Sequence, residues 1–106
     1  EYLFVSRKNK LENNIINYSE ITLPVMNEFN IIINTTPAGM FPNMDVSPDL
    51  PYHFVSANHY FFDLIYNPAK TLFLSKAAER GATIENGQQM LTIQAEESWK
   101  IWNQNR

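Results

Sequence analysis

Three short segments of the sequence carry polar or charged residues at places where they could bind a ligand. They are residues 6–8, 34–37 and 66–68, and each follows an apolar run typical of a β-strand, ending at Val5, Ile33 and Ile65. In open α/β sheets, ligands bind outside the carboxyl ends of the strands. If these runs form such a sheet, we expect the three segments to meet along one edge and to line a site.

The first segment, Ser6, Arg7 and Lys8, is basic and contains no acidic residue. At the corresponding place a dinucleotide-binding fold contacts the adenosine ribose, where an acidic residue suits NAD and an arginine suits the additional phosphate of NADP. A basic tripeptide after a strand is also typical of a solvated loop, and for the tripeptide alone that interpretation is the more common one. The segment therefore indicates NADP only in combination with other motifs.

A small surface for close approach is predicted at the start of the last helical segment. Gly87, Met90 and Gln94 are spaced i, i+3 and i+7, which places them on one helix face. Gly87 would let a flat ring approach the backbone, and Gln94 offers both a donor and an acceptor to a hydroxyl-bearing ligand. The same spacing also fits a tightly packed helix start with a surface glutamine, and the sequence leaves both interpretations open.

One tyrosine, one aspartate and two histidines could also take part in a site. Tyr66 stands where a predicted strand ends, so its hydroxyl could face the ligand crevice, although tyrosines at strand ends are also commonly structural. Asp63 lies within that apolar strand, and because an unpaired carboxylate is costly there, we expect a structural hydrogen-bond partner for it. His53 and His59 have neither cysteine nor clustered acidic residues around them, so we treat both as loop residues and expect no metal site.

The hydrophobic pattern predicts an α/β protein with an open, mainly parallel sheet and flanking helices. Strands are expected at residues 2–5, 30–33 and 60–66, with a weaker candidate at 15–16. Residues 30–33 are apolar on both faces, which is typical of a parallel strand that is covered on each side. The proline-rich residues 37–58 form a long loop.

Two helices are expected in the second half of the chain. The first spans 71–80, with Thr71 as its amino-terminal cap and Gly81 ending it in a left-handed conformation. The second spans about 87–102 and has Asn86 as a cap. Further expectations for this second helix are an ion pair between Glu96 and Lys100 and a buried stripe formed by Leu91, Ala95 and Trp102.

The composition narrows the class of protein. The chain of 106 residues is 44% hydrophobic and 18% charged, which is typical of one small soluble domain. Its formal net charge of -3 without a dense basic stripe argues against nucleic acid as a partner. No apolar run approaches the roughly 20 residues of a membrane span, and the absence of cysteine fits a cytoplasmic protein.

Four motifs stand in the same order as in shikimate dehydrogenase, and the chain resembles that family from Ser6 through Trp102. The motifs are SRK at 6–8, NTTPAGM at 34–40, DLIYNP at 63–68 and NGQQML at 86–91, the last two accompanied by Thr71 and Gln94. Residues 11–29 match the family poorly.

The resemblance implies a partial Rossmann-like fold that binds NADP. It also implies reversible, NADPH-dependent reduction of 3-dehydroshikimate to shikimate, in the route to chorismate and the aromatic amino acids. The cofactor contacts that it implies are Ser6, Arg7 and Lys8 at the 2′-phosphate and adenine, Thr35 and Thr36 beside the cofactor, and Leu64 and Gly87 against the nicotinamide. Tyr66 and Gln94 would contact the substrate. Ser6 and Lys8 replace the usual asparagine and threonine of the family, whereas Arg7 is kept.

By the same resemblance, residues 1–106 correspond to the carboxyl-terminal part of the NADP-binding domain. The first strand and an amino-terminal substrate domain would be absent. The glycine-rich turn would be absent as well, because the only glycines are Gly39, Gly81 and Gly87. The catalytic lysine and aspartate of the family belong to that substrate domain, so we expect no catalytic residue in this chain and no activity from it alone. An unpaired edge at residues 2–5 or 30–33 would favour self-association.

Two alternative functions stay open at this point. One is a related dehydrogenase that acts on quinate or uses NAD, which shares the scaffold. The other is a non-catalytic nucleotide-binding or assembly module.

Overall fold

The computed structural model describes residues 2–6 and 14–104, and side chains as far as residue 101. Within these residues it has five β-strands and three α-helices. Their bounds are β1 (Phe4–Ser6), β2 (Ile15–Asn17), α1 (Leu23–Glu28), β3 (Ile31–Asn34), β4 (Tyr60–Asp63), α2 (Leu72–Glu79), β5 (Thr83–Glu85) and α3 (Gln88–Gln104). Single 3-10 turns at Tyr18–Glu20 and Tyr52–Phe54 lie in the connections.

The strands form two parallel sheets, which confirms the predicted α/β class. β1 pairs with β2, and β3, β4 and β5 pair in that order. The weak candidate strand at 15–16 is confirmed as β2, whereas the strand expected at 60–66 ends at Asp63. β5 was not expected, because a three-residue strand with one apolar side chain carries too short a pattern to be recognised.

The hydrophobic core lies on one face of the three-stranded sheet. Phe61 in β4 is fully buried, and its ring centre lies 4.9 Å from that of Phe73 in α2. Leu74 and Ala77 of the same helix are also buried. Each large side chain buried in this way contributes about 1.5–3 kcal/mol, so the packing of α2 on β4 is a principal source of stability.

The opposite face of β3 is exposed, so the expectation that this strand is covered on both sides was wrong. Ile31 is 66% exposed and Ile33 is 55% exposed, whereas Ile32 between them packs against the core. The strand has the composition of a doubly covered strand, but no described element covers its second face. Neighbouring Phe62 on the same face is only partly buried.

The two helices of the second half differ in how well the sequence predicted them. For α2, the expected signals are confirmed: the Thr71 hydroxyl accepts a hydrogen bond from the Leu74 amide at 3.3 Å, and Gly81 has a φ of 88°. For α3, the Asn86 side chain accepts from the Gln88 amide at 3.0 Å, but Asn86 lies one residue before the cap position, because the Gly87 carbonyl accepts the first bond of the helix from the Leu91 amide.

The expected buried stripe on α3 was wrong, because Leu91 and Ala95 are exposed and no described element packs over them. Lys100 pairs with Glu97 at 3.6 Å rather than with Glu96, and because both partners are exposed this pair contributes little. The side chain of Trp102 lies outside the described residues. Among the described helices, none combines the length and apolar character that a membrane crossing requires.

His59 lies in the turn before β4, as expected of a loop residue, but its burial was not foreseen. Its ring is almost completely buried. The Nδ1 atom accepts from the Ser56 amide at 3.0 Å, and Nε2 lies 2.7 Å from the Met26 carbonyl oxygen. The acceptor role of Nδ1 leaves Nε2 to donate, so the neutral ring links α1 to the start of β4.

Tyr52 anchors the long loop to α2. Its hydroxyl donates to the Pro48 carbonyl at 2.7 Å, and the Lys76 ammonium lies 4.8 Å from the centre of its ring. Lys76 also donates to the Ser47 hydroxyl at 3.1 Å. Burial raises the pKa of Tyr52 to about 12, against a smaller lowering by its hydrogen bond with Ser47.

The raised pKa of Tyr52 predicts a loss of stability in alkali. The folded state keeps the hydroxyl protonated, while the unfolded chain ionises above about pH 10, so the contribution of Tyr52 is complete below pH 10 and is lost toward pH 12. Tyr52→Phe should lower the free energy of unfolding by about 1 kcal/mol at neutral pH. Urea unfolding at several pH values should show this difference shrinking above pH 10.

The matched control is Tyr66→Phe, which removes an exposed hydroxyl and should change stability little. A difference between the Tyr52→Phe variant and the parent chain that stays constant up to pH 12 would contradict the role of burial.

Candidate functional site

A buried polar network lies at the carboxyl end of the three-stranded sheet. Its members are Asn34 at the end of β3, Asp63 at the end of β4 and Thr71 before α2, each less than 4% exposed. Asn34 Nδ2 donates to Asp63 Oδ1 at 3.2 Å, and Thr71 Oγ1 donates to Asp63 Oδ2 at 2.6 Å. The network therefore joins two strands and one helix through a single carboxylate.

Asp63 is the centre of this network, which confirms the expected structural partner. Its Oδ1 atom also accepts from the Ile65 amide at 3.0 Å, so the backbone is turned sharply just after β4 ends. A carboxylate buried this deeply is tolerated because three neighbouring groups donate hydrogen bonds to it. No buried side-chain nitrogen or oxygen among the described residues lacks a hydrogen-bond partner.

The network also shapes the loop that follows β3. Asn34 Oδ1 accepts from both the amide and the hydroxyl of Thr36, at 3.1 and 2.7 Å. The Thr36 hydroxyl accepts in turn from the Ala38 amide at 3.2 Å. Thr35 and Thr36 are both exposed, so they project from a rigid turn at the edge of the sheet.

Gly87 meets the end of β4 at very close range. A methyl group added to it would overlap the Leu64 carbonyl oxygen and lie 2.7 Å from the carbonyl carbon. The Gly87 amide donates to the Ile65 carbonyl at 3.3 Å. Only glycine fits here, which brings three predicted site residues, Leu64, Tyr66 and Gly87, to one corner of the sheet with the first two exposed.

The remaining predicted site residues lie farther from this corner or outside the described chain. Gln94 is exposed on α3, two turns and about 10 Å along the helix from Gly87. Ser6 ends β1 and is half-buried. Arg7 and Lys8 lie outside the described residues.

A groove of about 600 Å³ lies between β1 and β3. Val5 of β1 lines one wall, and Thr35 and Thr36 line the mouth next to β3. A second cavity, of about 670 Å³, lies under the proline-rich loop and shares Thr36 with the first. Of the predicted site residues that the structure describes, only the two threonines line the groove.

The sequence did not identify Asn34 as the organiser of the site. A signal was present, since an amide ends one apolar strand and a carboxylate ends the next, in the same register. In parallel strands, residues in register at the carboxyl ends lie side by side, so a hydrogen bond between them was predictable.

The network predicts a large loss of stability for Asp63→Ala. Removing the carboxylate leaves the Asn34 amide, the Thr71 hydroxyl and the Ile65 amide as buried donors without an acceptor. We expect the free energy of unfolding to fall by about 3 kcal/mol in urea titrations. The control is Asp49→Ala, at an exposed carboxylate, which should cost less than about 0.5 kcal/mol. Equal effects of the two substitutions would show that the network does not stabilise the fold.

Comparisons with known proteins agree on one group of relatives. A shikimate dehydrogenase (NADP(+)) from Methanococcus maripaludis strain S2 is 43% identical over 98 residues, which are 92% of this chain and 34% of that protein. No protein-family model matches the chain.

Solved structures give the same result. A fusion of chorismate mutase with shikimate 5-dehydrogenase from Clostridium acetobutylicum matches with a TM-score of 0.75 and 38% identity, covering 94% of this chain and 36% of that one. A shikimate dehydrogenase in complex with NADP+ matches with a TM-score of 0.71 and 37% identity, covering 84% and 30%. By sequence and by fold, the chain is similar to shikimate dehydrogenases along most of its own length, and it spans about a third of theirs.

Proposed function

We propose that this chain is the carboxyl-terminal part of the NADP-binding domain of a shikimate dehydrogenase. The observation that carries the proposal is the corner where Gly87 packs on the Leu64 backbone, next to strand ends tied together by Asp63. Three of the four resembling motifs converge there, in a chain that is 43% identical to a shikimate dehydrogenase over 92% of its residues. Their convergence supports a binding site rather than three unrelated loops.

The described residues fit a dinucleotide at this edge. Thr35 and Thr36 project from a turn that the Asn34 side chain holds rigid, so they are available to a ligand without reordering of the loop. Leu64 offers an exposed apolar side chain where the backbone of Gly87 comes closest, which suits the face of a nicotinamide ring. Arg7, with Ser6 and Lys8, would bind the 2′-phosphate that distinguishes NADP from NAD.

The residues named above would hold NADP(H), which would supply the hydride for reduction of the 3-dehydroshikimate ketone, with the proton coming from the lysine or aspartate of the family, and which would take up a hydride in the reverse direction. Within this chain, Tyr66 and Gln94 would bind the hydroxyl and carboxylate groups of the substrate and orient it. The lysine and aspartate that the family uses for proton transfer have no counterpart in the four motifs. The chain alone would therefore hold cofactor and substrate without catalysing turnover. The whole enzyme would act in a cytoplasmic pathway toward aromatic amino acids.

A chimaera provides the test of cofactor choice. Residues 2–104 of this chain would replace the matched third of the Methanococcus maripaludis relative, and shikimate oxidation would be followed with NADP+ and with NAD+. We expect activity with NADP+ in the chimaera and none in the chain alone. Arg7→Glu should raise the KM for NADP+ at least tenfold, because a charge-assisted hydrogen bond to phosphate contributes about 1.5–3 kcal/mol.

The control is Lys70→Glu, at an exposed lysine outside the four motifs. It should leave the KM for NADP+ unchanged. A folded chimaera that prefers NAD+, or that prefers quinate to shikimate, would replace the proposal with the related dehydrogenase. Turnover by the chain alone would overturn the assignment of catalysis to residues beyond it.

Substrate binding by α3 is tested in the same chimaera with Gln94→Ala. Loss of one amide that bonds a substrate hydroxyl should raise the KM for shikimate roughly tenfold and leave the KM for NADP+ unchanged. Gln89→Ala, on the same exposed helix, is the matched control. Equal KM values for shikimate in the two variants would remove Gln94 from the site.

A further inference from the structure

The segment between β4 and α2, residues 64–70, carries two of the proposed ligand contacts on a stretch of chain without helix or strand. Leu64, which would face the nicotinamide, comes first, and Tyr66, which would contact the substrate, follows two residues later. Both side chains are exposed, so packing in the core does not hold them. Their positions therefore depend on the hydrogen bonds of the backbone that carries them.

Three hydrogen bonds fix the backbone around Leu64. The Leu64 amide donates to the Asn34 carbonyl at 3.2 Å, and the Ile65 amide donates to Asp63 Oδ1 at 3.0 Å. The Ile65 carbonyl accepts from the Gly87 amide at 3.3 Å. The last of these bonds lies one residue before the proposed substrate contact, so a different set of bonds holds the rest of the segment.

Two hydrogen bonds hold the part of the segment that follows Tyr66. The Asn67 carbonyl accepts from the Phe41 amide at 3.1 Å, and the Ala69 carbonyl accepts from Asn86 Nδ2 at 2.8 Å. The second bond is the shorter one, and it joins residues 17 positions apart in the sequence. Asn86 therefore ties the stretch after Tyr66 to the start of α3.

Asn86 uses both ends of its side-chain amide. Its Oδ1 atom accepts from the Gln88 amide at 3.0 Å, while Nδ2 donates to the Ala69 carbonyl. An amide provides an acceptor and a donor together, whereas a carboxylate in its place would face the Ala69 carbonyl as a second acceptor. The first turn of α3 and the position of Ala69 thus depend on one side chain. The same helix carries Gln94, the other proposed substrate contact.

We propose that Asn86 is a positioning residue for the substrate. Its amide holds the segment of Tyr66 against the helix that carries Gln94. The nicotinamide side, at Leu64 and Gly87, is held by bonds in which the side chain of Asn86 takes no part. The inference rests on the proposed function, which assigns Tyr66 and Gln94 to the substrate. Its consequence is that substitution of Asn86 weakens substrate binding and leaves cofactor binding unchanged.

Two substitutions remove the donor of Asn86 and keep an acceptor for the Gln88 amide. Asn86→Asp is close in shape, and Asn86→Ser is uncharged with a hydroxyl that can form the same kind of turn more weakly. Both leave the Ala69 carbonyl without its donor, and only aspartate adds a charge. A change common to the two variants therefore reports the loss of that bond. The matched control is Asn58→Ser, at an exposed amide in the turn before β4.

Hydrogen exchange of the whole 106-residue chain tests the contact without any ligand. In both Asn86 variants the Phe41 amide should exchange roughly threefold faster or more, because its acceptor at Asn67 is less restrained, and the Gly87 amide should not change. Asn58→Ser should match the parent chain at both amides. Unchanged exchange at Phe41, or equally faster exchange at Gly87, would overturn the positioning role.

Kinetics of the chimaera test the consequence for the substrate. The KM for shikimate should rise about fivefold in both Asn86 variants, as expected for the loss of one neutral hydrogen bond, with the KM for NADP+ unchanged. Asn58→Ser should leave both KM values as in the parent chimaera.

The outcomes separate this inference from the proposed function. An active chimaera whose Asn86 variants keep the parent KM for shikimate would overturn the inference alone. An equal rise in both KM values would give Asn86 a general structural role and would also overturn it. A parent chimaera without shikimate activity would contradict the proposed function, and the substrate role of Asn86 with it.

Discussion

The buried carboxylate of Asp63 ties the carboxyl ends of β3 and β4 to the start of α2. It is fully buried, and it accepts hydrogen bonds from Asn34, Thr71 and the Ile65 amide. Because all the donors come from different elements, the position of each element fixes that of the others. A carboxylate is suited to this role, since its two oxygens accept several bonds at once and its burial is unfavourable unless they are all formed.

The hydrogen bonds of Asp63 and Asn34 also position the residues of the candidate site. Asn34 holds Thr36, while the turn after Asp63 presents Leu64 and Tyr66 and lets Gly87 pack against the backbone. The groups proposed to contact cofactor and substrate are therefore positioned by buried hydrogen bonds and close backbone packing rather than by their own contacts. This division lets exposed residues vary in their chemistry while the edge of the sheet keeps its shape.

The sequence predicted the parts of this arrangement that local chemistry determines. The cap and left-handed end of α2 follow from Thr71 and Gly81, and β3 follows from consecutive isoleucines. The burial of Ile31, Ile33 and Leu91 was mispredicted. The apolar character of a side chain shows that its burial would be favourable, but not whether a described element covers it. The burial of the His59 ring was not predicted either, because its hydrogen-bond partner, the Met26 carbonyl, is distant in sequence.

Chemical-shift mapping of the NADP+ complex of the chimaera tests most directly whether the edge of the sheet held by Asp63 forms the cofactor site. Residue-resolved spectra would be recorded as NADP+ is added. The largest changes should fall on Thr35, Thr36, Leu64 and Gly87. Changes confined instead to the cavity under the proline-rich loop, around Phe41 and Val46, would contradict it.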